Sequence, residues 1–100
     1  MKRFTAISNH LKKEYHAQKV ILYGSYARGD MTPESDVDLL VIAPTHERFF
    51  ERMATVRRLL RDFRRGLAIA PLVFTEEEIN QRKEKGDQFI AEILEKGVEI

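Results

Sequence analysis

No cysteine occurs in the 100 residues, so disulfide scaffolds, thiolate zinc sites and cysteine nucleophiles are excluded. No apolar run approaches the roughly 18 residues that a membrane span needs. The opening Met1-Lys2-Arg3-Phe4 leads into a polar amphipathic stretch rather than a secretory apolar segment, so a cytoplasmic location without a membrane partner is expected. Repeats, low-complexity tracts and linkers are missing as well. The net charge is only +1, well short of the positive excess of a typical nucleic-acid binder.

What remains is a globular balance, with 43% hydrophobic and 33% charged residues. The length, 11.7 kDa, suits one domain over 1–100 with a modest core. Its charge is unevenly spread. Arginines crowd residues 46–66 (Arg48, Arg52, Arg57, Arg58, Arg61, Arg64, Arg65), whereas acids dominate 75–100. Such asymmetry marks a partner surface or an anionic ligand only in combination with other features.

Phe4, Ile7, Leu11 and Tyr15 recur at helical spacing, which predicts an amphipathic helix over 2–17. Val20 to Tyr23 reads as a buried strand entering a Gly24-Ser25 turn, and Val37 to Ala43 as a second strand stopped by Pro44. Thr45 is expected to cap a long helix whose stripe is Phe49, Phe50, Met53, Val56, Leu59, Leu60 and Phe63, closed by Gly66. On that helix Arg57, Arg61 and Arg64 line one side, and Arg58 and Asp62 stand at pairing distance. Leu67 to Phe74 follows as a third strand, and Pro71 assigns it to an edge or a distortion. Thr75-Glu76-Glu77-Glu78 is a capping-box pattern, and Asp87 can cap a last helix bearing Phe89, Ile90, Ile93 and Leu94. Val98 to Ile100 is an edge strand or a frayed end. The element order predicts an α+β (mixed α/β) fold, a small mixed sheet backed by helices.

The chemistry sits in Gly24-Ser25-Tyr26-Ala27-Arg28-Gly29-Asp30, followed by Ser35-Asp36-Val37-Asp38-Leu39-Leu40-Val41. Glycine at 24 allows a sharp turn and close backbone approach. A helical turn starting at Ser25 would offer free amides and a hydroxyl to phosphate, with Arg28 adding charge or bracing the loop. Asp36 and Asp38, two apart on a strand, emerge on one face, and two carboxylates there call for a cation. Mg²⁺ is the natural candidate, pairing carboxylates with substrate phosphates. His10, His16 and His46 share no metal-like spacing, and Glu76 to Glu78 is explained by capping and the helix dipole.

These residues resemble a known family. Gly24-Ser25, ten residues, then Asp36-Val37-Asp38 is similar to the signature of the polymerase-beta-like nucleotidyltransferase superfamily, and the fuller strings resemble its minimal nucleotidyltransferase branch. The resemblance implies that superfamily's fold and Mg²⁺-dependent transfer of a nucleotidyl group, AMP above all, from a nucleoside triphosphate. Gly24 and Ser25 would hold the triphosphate and Asp36 and Asp38 would be the catalytic, metal-binding pair, with Arg28 a second-tier phosphate-binding or loop-bracing residue. It also implies a small helical HEPN-type partner in a toxin–antitoxin system, with a partner tyrosine as acceptor; a homo-oligomer is compatible with the sequence. Active members carry a third carboxylate on a neighbouring strand, and the matching position here is Ala70. Asp62, Glu34 or one of Glu76, Glu77 and Glu78 would have to replace it. The rival readings are a weakly active or inactive nucleotide-binding antitoxin subunit, motivated by Ala70, and a nucleic-acid binder, resting on the arginine stripe alone.

Overall fold

The computed structural model describes residues 2–100. Its elements are α1 (Lys2–Glu14), β1 (Lys19–Tyr23), the short α2 (Ser25–Arg28), β2 (Val37–Ile42), α3 (Phe49–Leu59), a 3₁₀ turn (Arg61–Phe63), β3 (Ile69–Phe74), α4 (Glu76–Glu84), α5 (Gln88–Lys96) and β4 (Val98–Glu99). The strands form one sheet in the order β3-β2-β1-β4. β2 runs antiparallel to β1 and parallel to β3, while β4 pairs antiparallel with β1. The result is the expected α+β architecture. Pro71, which has no N–H to donate, stands on the edge strand β3, and the chain end does form an edge strand. Among the described residues no helix is long and apolar enough to cross a membrane.

The two faces of the sheet bury two hydrophobic clusters. Val20, Leu22, Val37, Leu39 and Val41 point to one face, under Ile7 and Leu11 of α1 and Val56 of α3. Ile21, Leu40, Ile42 and Phe74 point to the other, under Ile79 of α4 and Ile90 and Ile93 of α5. The unbroken apolar run of β2 follows from burial on both sides. Tyr23 and Asp38 belong, by strand alternation, to the second face. α5 is drawn tight against β1, since a Cβ at Gly97 would lie 2.5 Å from both Ile21 Cγ2 and the Ile93 carbonyl oxygen.

The helix over 46–66 departs from expectation. It begins at Phe49, after Arg48, whose N–H donates to the Glu51 carboxylate at 2.9 Å. Thr45 instead accepts from the Glu47 N–H, at 3.1 Å. The helix stops at Leu59 and tightens into the 3₁₀ turn, which brings Phe63 against His10 of α1 at 4.7 Å between ring centroids. That break removes the helical spacing between Arg58 and Asp62, and among the described residues they form no ion pair. Phe50 points to solvent at 82% exposure. α1 likewise ends at Glu14, and the Tyr15 hydroxyl donates to the Glu47 carboxylate at 2.7 Å.

The inward place on α3 belongs partly to Arg52, 8% exposed. Its guanidinium donates to the Glu47 carbonyl at 2.9 Å, to the Val73 carbonyl at 3.3 Å, and to both Glu78 carboxylate oxygens at 2.6 and 3.1 Å. Glu78 also accepts from the Thr75 N–H in the capping box that opens α4. One ion pair thus joins the helix on one face to the helix on the other around the edge strand. Arg52 holds the Glu78 carboxyl below its ordinary value, so the unfolded chain takes up that proton first. Its stabilising contribution is complete above the ordinary carboxylate range and is lost as pH falls through the depressed value. Glu78→Gln is expected to destabilise the fold by about 1–2 kcal/mol, below the roughly 3–5 kcal/mol of a fully buried pair because the Glu78 side chain is 36% exposed. The variant should also lose part of the acid sensitivity, measurable by chemical denaturation at neutral and acid pH.

Candidate functional site

The site begins where β1 meets α2. Gly24 has φ 75° and ψ −151°, a conformation that disfavours any side chain. Its carbonyl accepts from the Ala27 and Arg28 amides at 3.1 and 3.0 Å, so the turn after the strand closes as a helical turn starting at Ser25. The Ser25 and Tyr26 amides precede the first intrahelical bond and remain available as donors. Tyr26 turns its ring inward against Phe4, at 6.1 Å. Gly29, at φ 81°, ends the turn, and Arg28 pairs with Asp30 at 3.2 Å on the exposed side. Arg28 therefore both braces the loop and lines the adjacent cleft.

β2 supplies the acids. Asp38 lies between Tyr23 of β1 and Ala70 of β3 in the sheet register. Asp36 stands just before the strand, where the Val37 N–H donates to the Ala68 carbonyl at 2.7 Å and keeps the chain extended. Alternation then places both carboxylates on the same face. A Cβ at Gly24 would collide with the Asp38 carboxylate, so the glycine turn and the acid are in direct contact. Burial raises the Asp38 carboxyl above its ordinary value, and the Asp36 charge raises it further, opposed by Arg28. Tyr23 is raised too, by burial and then by the Asp38 charge.

These groups open into a cleft of about 410 Å³ lined by Gly24, Ser25, Arg28 and Asp38 on one side. Phe89, Glu92, Ile93 and Lys96 of α5 form the other side. Phe89, expected among the apolar residues of the last helix, is 53% exposed. The signal was present in the spacing. Residues 89, 92 and 96 share one helical side, next to the side that buries Ile90 and Ile93.

Ala70 sits directly beside Asp38, and among the described residues no three His, Asp or Glu side chains gather as a metal cage. Glu76, Glu77 and Glu78 follow Phe74, four strand residues from Ala70, or about 13 Å along the sheet. Glu78 is moreover engaged by Arg52. The donors that are present fit a hard divalent cation. Two carboxylates share one face, Asp38 lines the cleft, and burial followed by the Asp36 charge raises its carboxyl. Mg²⁺ is commonly held by one or two carboxylates, its other positions going to waters and substrate phosphates.

Comparison with known proteins agrees with this geometry. The nucleotidyltransferase domain family matches residues 5–99. A protein of Methanocaldococcus jannaschii, named as a proposed protein adenylyltransferase, is 37% identical over 91 residues, covering 89% of this chain and 85% of its own. A second from the same organism and with the same proposed activity is 32% identical over 83 residues, covering 82% and 77%. The crystal structure of a proposed nucleotidyltransferase from Sulfolobus solfataricus superimposes with a TM-score of 0.60 at 26% identity, covering 80% of this chain and 70% of that one.

Two outcomes test the geometry. Gly24→Ala is expected to destabilise the fold by about 1–3 kcal/mol, since it combines a strained φ with a clash against Asp38. Because the Asp38 carboxyl is raised in the folded state, its ionisation works against folding at neutral pH and ceases to do so below the ordinary carboxylate range. Asp38→Asn should therefore raise the melting temperature at pH 7 and leave it unchanged near pH 3. A lower melting temperature at pH 7 would contradict the assignment.

Proposed function

The chain belongs to the nucleotidyltransferase domain family, and from that premise we propose that it transfers AMP from ATP to a hydroxyl group of a partner protein. The observation that carries the reading is the contact of Gly24 with Asp38, which joins a phosphate-sized turn and one acid of the pair in one cleft. In this reading the Ser25 and Tyr26 amides and the Ser25 hydroxyl donate to triphosphate oxygens, and Arg28 offsets their charge. Asp36 and Asp38 would hold Mg²⁺, which when bound would neutralise the paired carboxylates and the triphosphate.

The acceptor oxygen bonds to the α-phosphorus, the bond from that phosphorus to the bridging oxygen breaks, and pyrophosphate leaves. The acceptor proton passes to solvent. Ala70 supplies no base beside Asp38, and this favours an acceptor that releases its proton readily. A tyrosine phenol, with an ordinary pKa of about 10, meets that need better than an aliphatic hydroxyl. The names of the Methanocaldococcus jannaschii relatives support a protein acceptor. We place that tyrosine on a small helical HEPN-type protein, with this chain as its cytoplasmic antitoxin. A second reading rests on Ala70 alone: a subunit that binds ATP and its partner but transfers nothing.

Incubation with α-labelled ATP, Mg²⁺ and the co-purifying helical partner should label the partner. Asp36→Asn should reduce labelling at least about 100-fold. ATP binding without labelling of any partner would favour the second reading, and no ATP binding would overturn both.

A further inference from the structure

The nucleotide reading uses one wall of the cleft and leaves the α5 wall without a role. We propose that this second wall seats the nucleobase, with the Phe89 ring as its stacking platform; the proposal rests on the nucleotide reading above. The cleft runs without interruption from Gly24, Ser25 and Asp38 to Phe89 and Lys96. Its volume of about 410 Å³ lies in the range of small-ligand sites, so a ligand held by its phosphates at Ser25 has room to reach α5.

Phe89 is built for such a contact. Four large apolar side chains are exposed among the described residues, Met31, Phe50, Phe89 and Val98, and of these Phe89 alone lines this cleft. Its ring meets Tyr23 edge to face at 5.9 Å and 84°, which orients it while leaving 53% of the residue open. The platform is also rigid. Ile90 and Ile93 bury the helix on the sheet, Asp87 caps its start by accepting from the Ile90 N–H at 3.1 Å, and Gly97 holds its end against β1. A base that stacks here gains apolar contact without ordering a mobile side chain. Glu92 and Lys96, 3.7 Å apart in an ion pair, form the polar rim beyond the ring.

The test compares Mg²⁺-ATP with Mg²⁺-tripolyphosphate, which carries the phosphates but no base, by calorimetry on the full chain. Phe89→Ala should weaken ATP binding about tenfold and leave tripolyphosphate binding unchanged. Phe89→Trp should keep ATP affinity. Because the chain has no tryptophan, that variant adds a single emitter, and ATP but not tripolyphosphate should quench it. Equal ATP affinity in wild type and Phe89→Ala, or equal quenching by the two ligands, would overturn the stacking wall alone. Failure of the wild type to bind either ligand would overturn the nucleotide reading on which it rests.

Discussion

The contact between the Gly24 backbone and the Asp38 carboxylate sets the terms for the rest of the site. It requires a residue without a Cβ at 24, at a positive φ, so that β1 can turn at once into a helical turn. It requires β1 and β2 to be antiparallel neighbours in the register that sets Tyr23 against Asp38. It also holds Asp38 partly out of water with Asp36 nearby, and this raises its carboxyl. An acid raised by burial and an amide-rich turn are the two sides of one packing constraint.

The sheet makes that constraint possible by being polar at one end only. On the face covered by α4 and α5, the β2 sequence passes from Asp38 to Leu40 and Ile42. The helices cover the apolar end and leave the acidic end open as a cleft. The Arg52–Glu78 pair works at the apolar end, binding α3 to α4 around β3. Its distance from the cleft separates the groups that hold the fold from those assigned to chemistry. Ala70 is the point where the two concerns meet, a small residue on an edge strand beside the acid.

Much of this was legible in order along the chain. The strands Val20 to Tyr23 and Val37 to Ala43, the caps at Thr75 and Asp87 and the helical turn at Ser25 all depend on residues within a few positions of one another. The breaks were not. α3 ends at Leu59 because the 3₁₀ turn carries Phe63 back to α1, a contact with His10 across more than fifty residues. Arg52 read as one of many arginines, and its burial depends on Glu78, which lies 26 positions away.

The amino-acid sequence by itself determined the mixed α+β class, the glycine turn and the two acids on one face, because backbone dihedral limits and strand alternation act locally. Only the tertiary structure decided that Gly24 touches Asp38 and that Phe89 faces the cleft instead of the core, whereas the place of Ala70 beside the acids was already expected from the sequence. Those outcomes depend on which strands pair and where α5 settles. Side chains far apart in sequence decide both by competing for the same buried space.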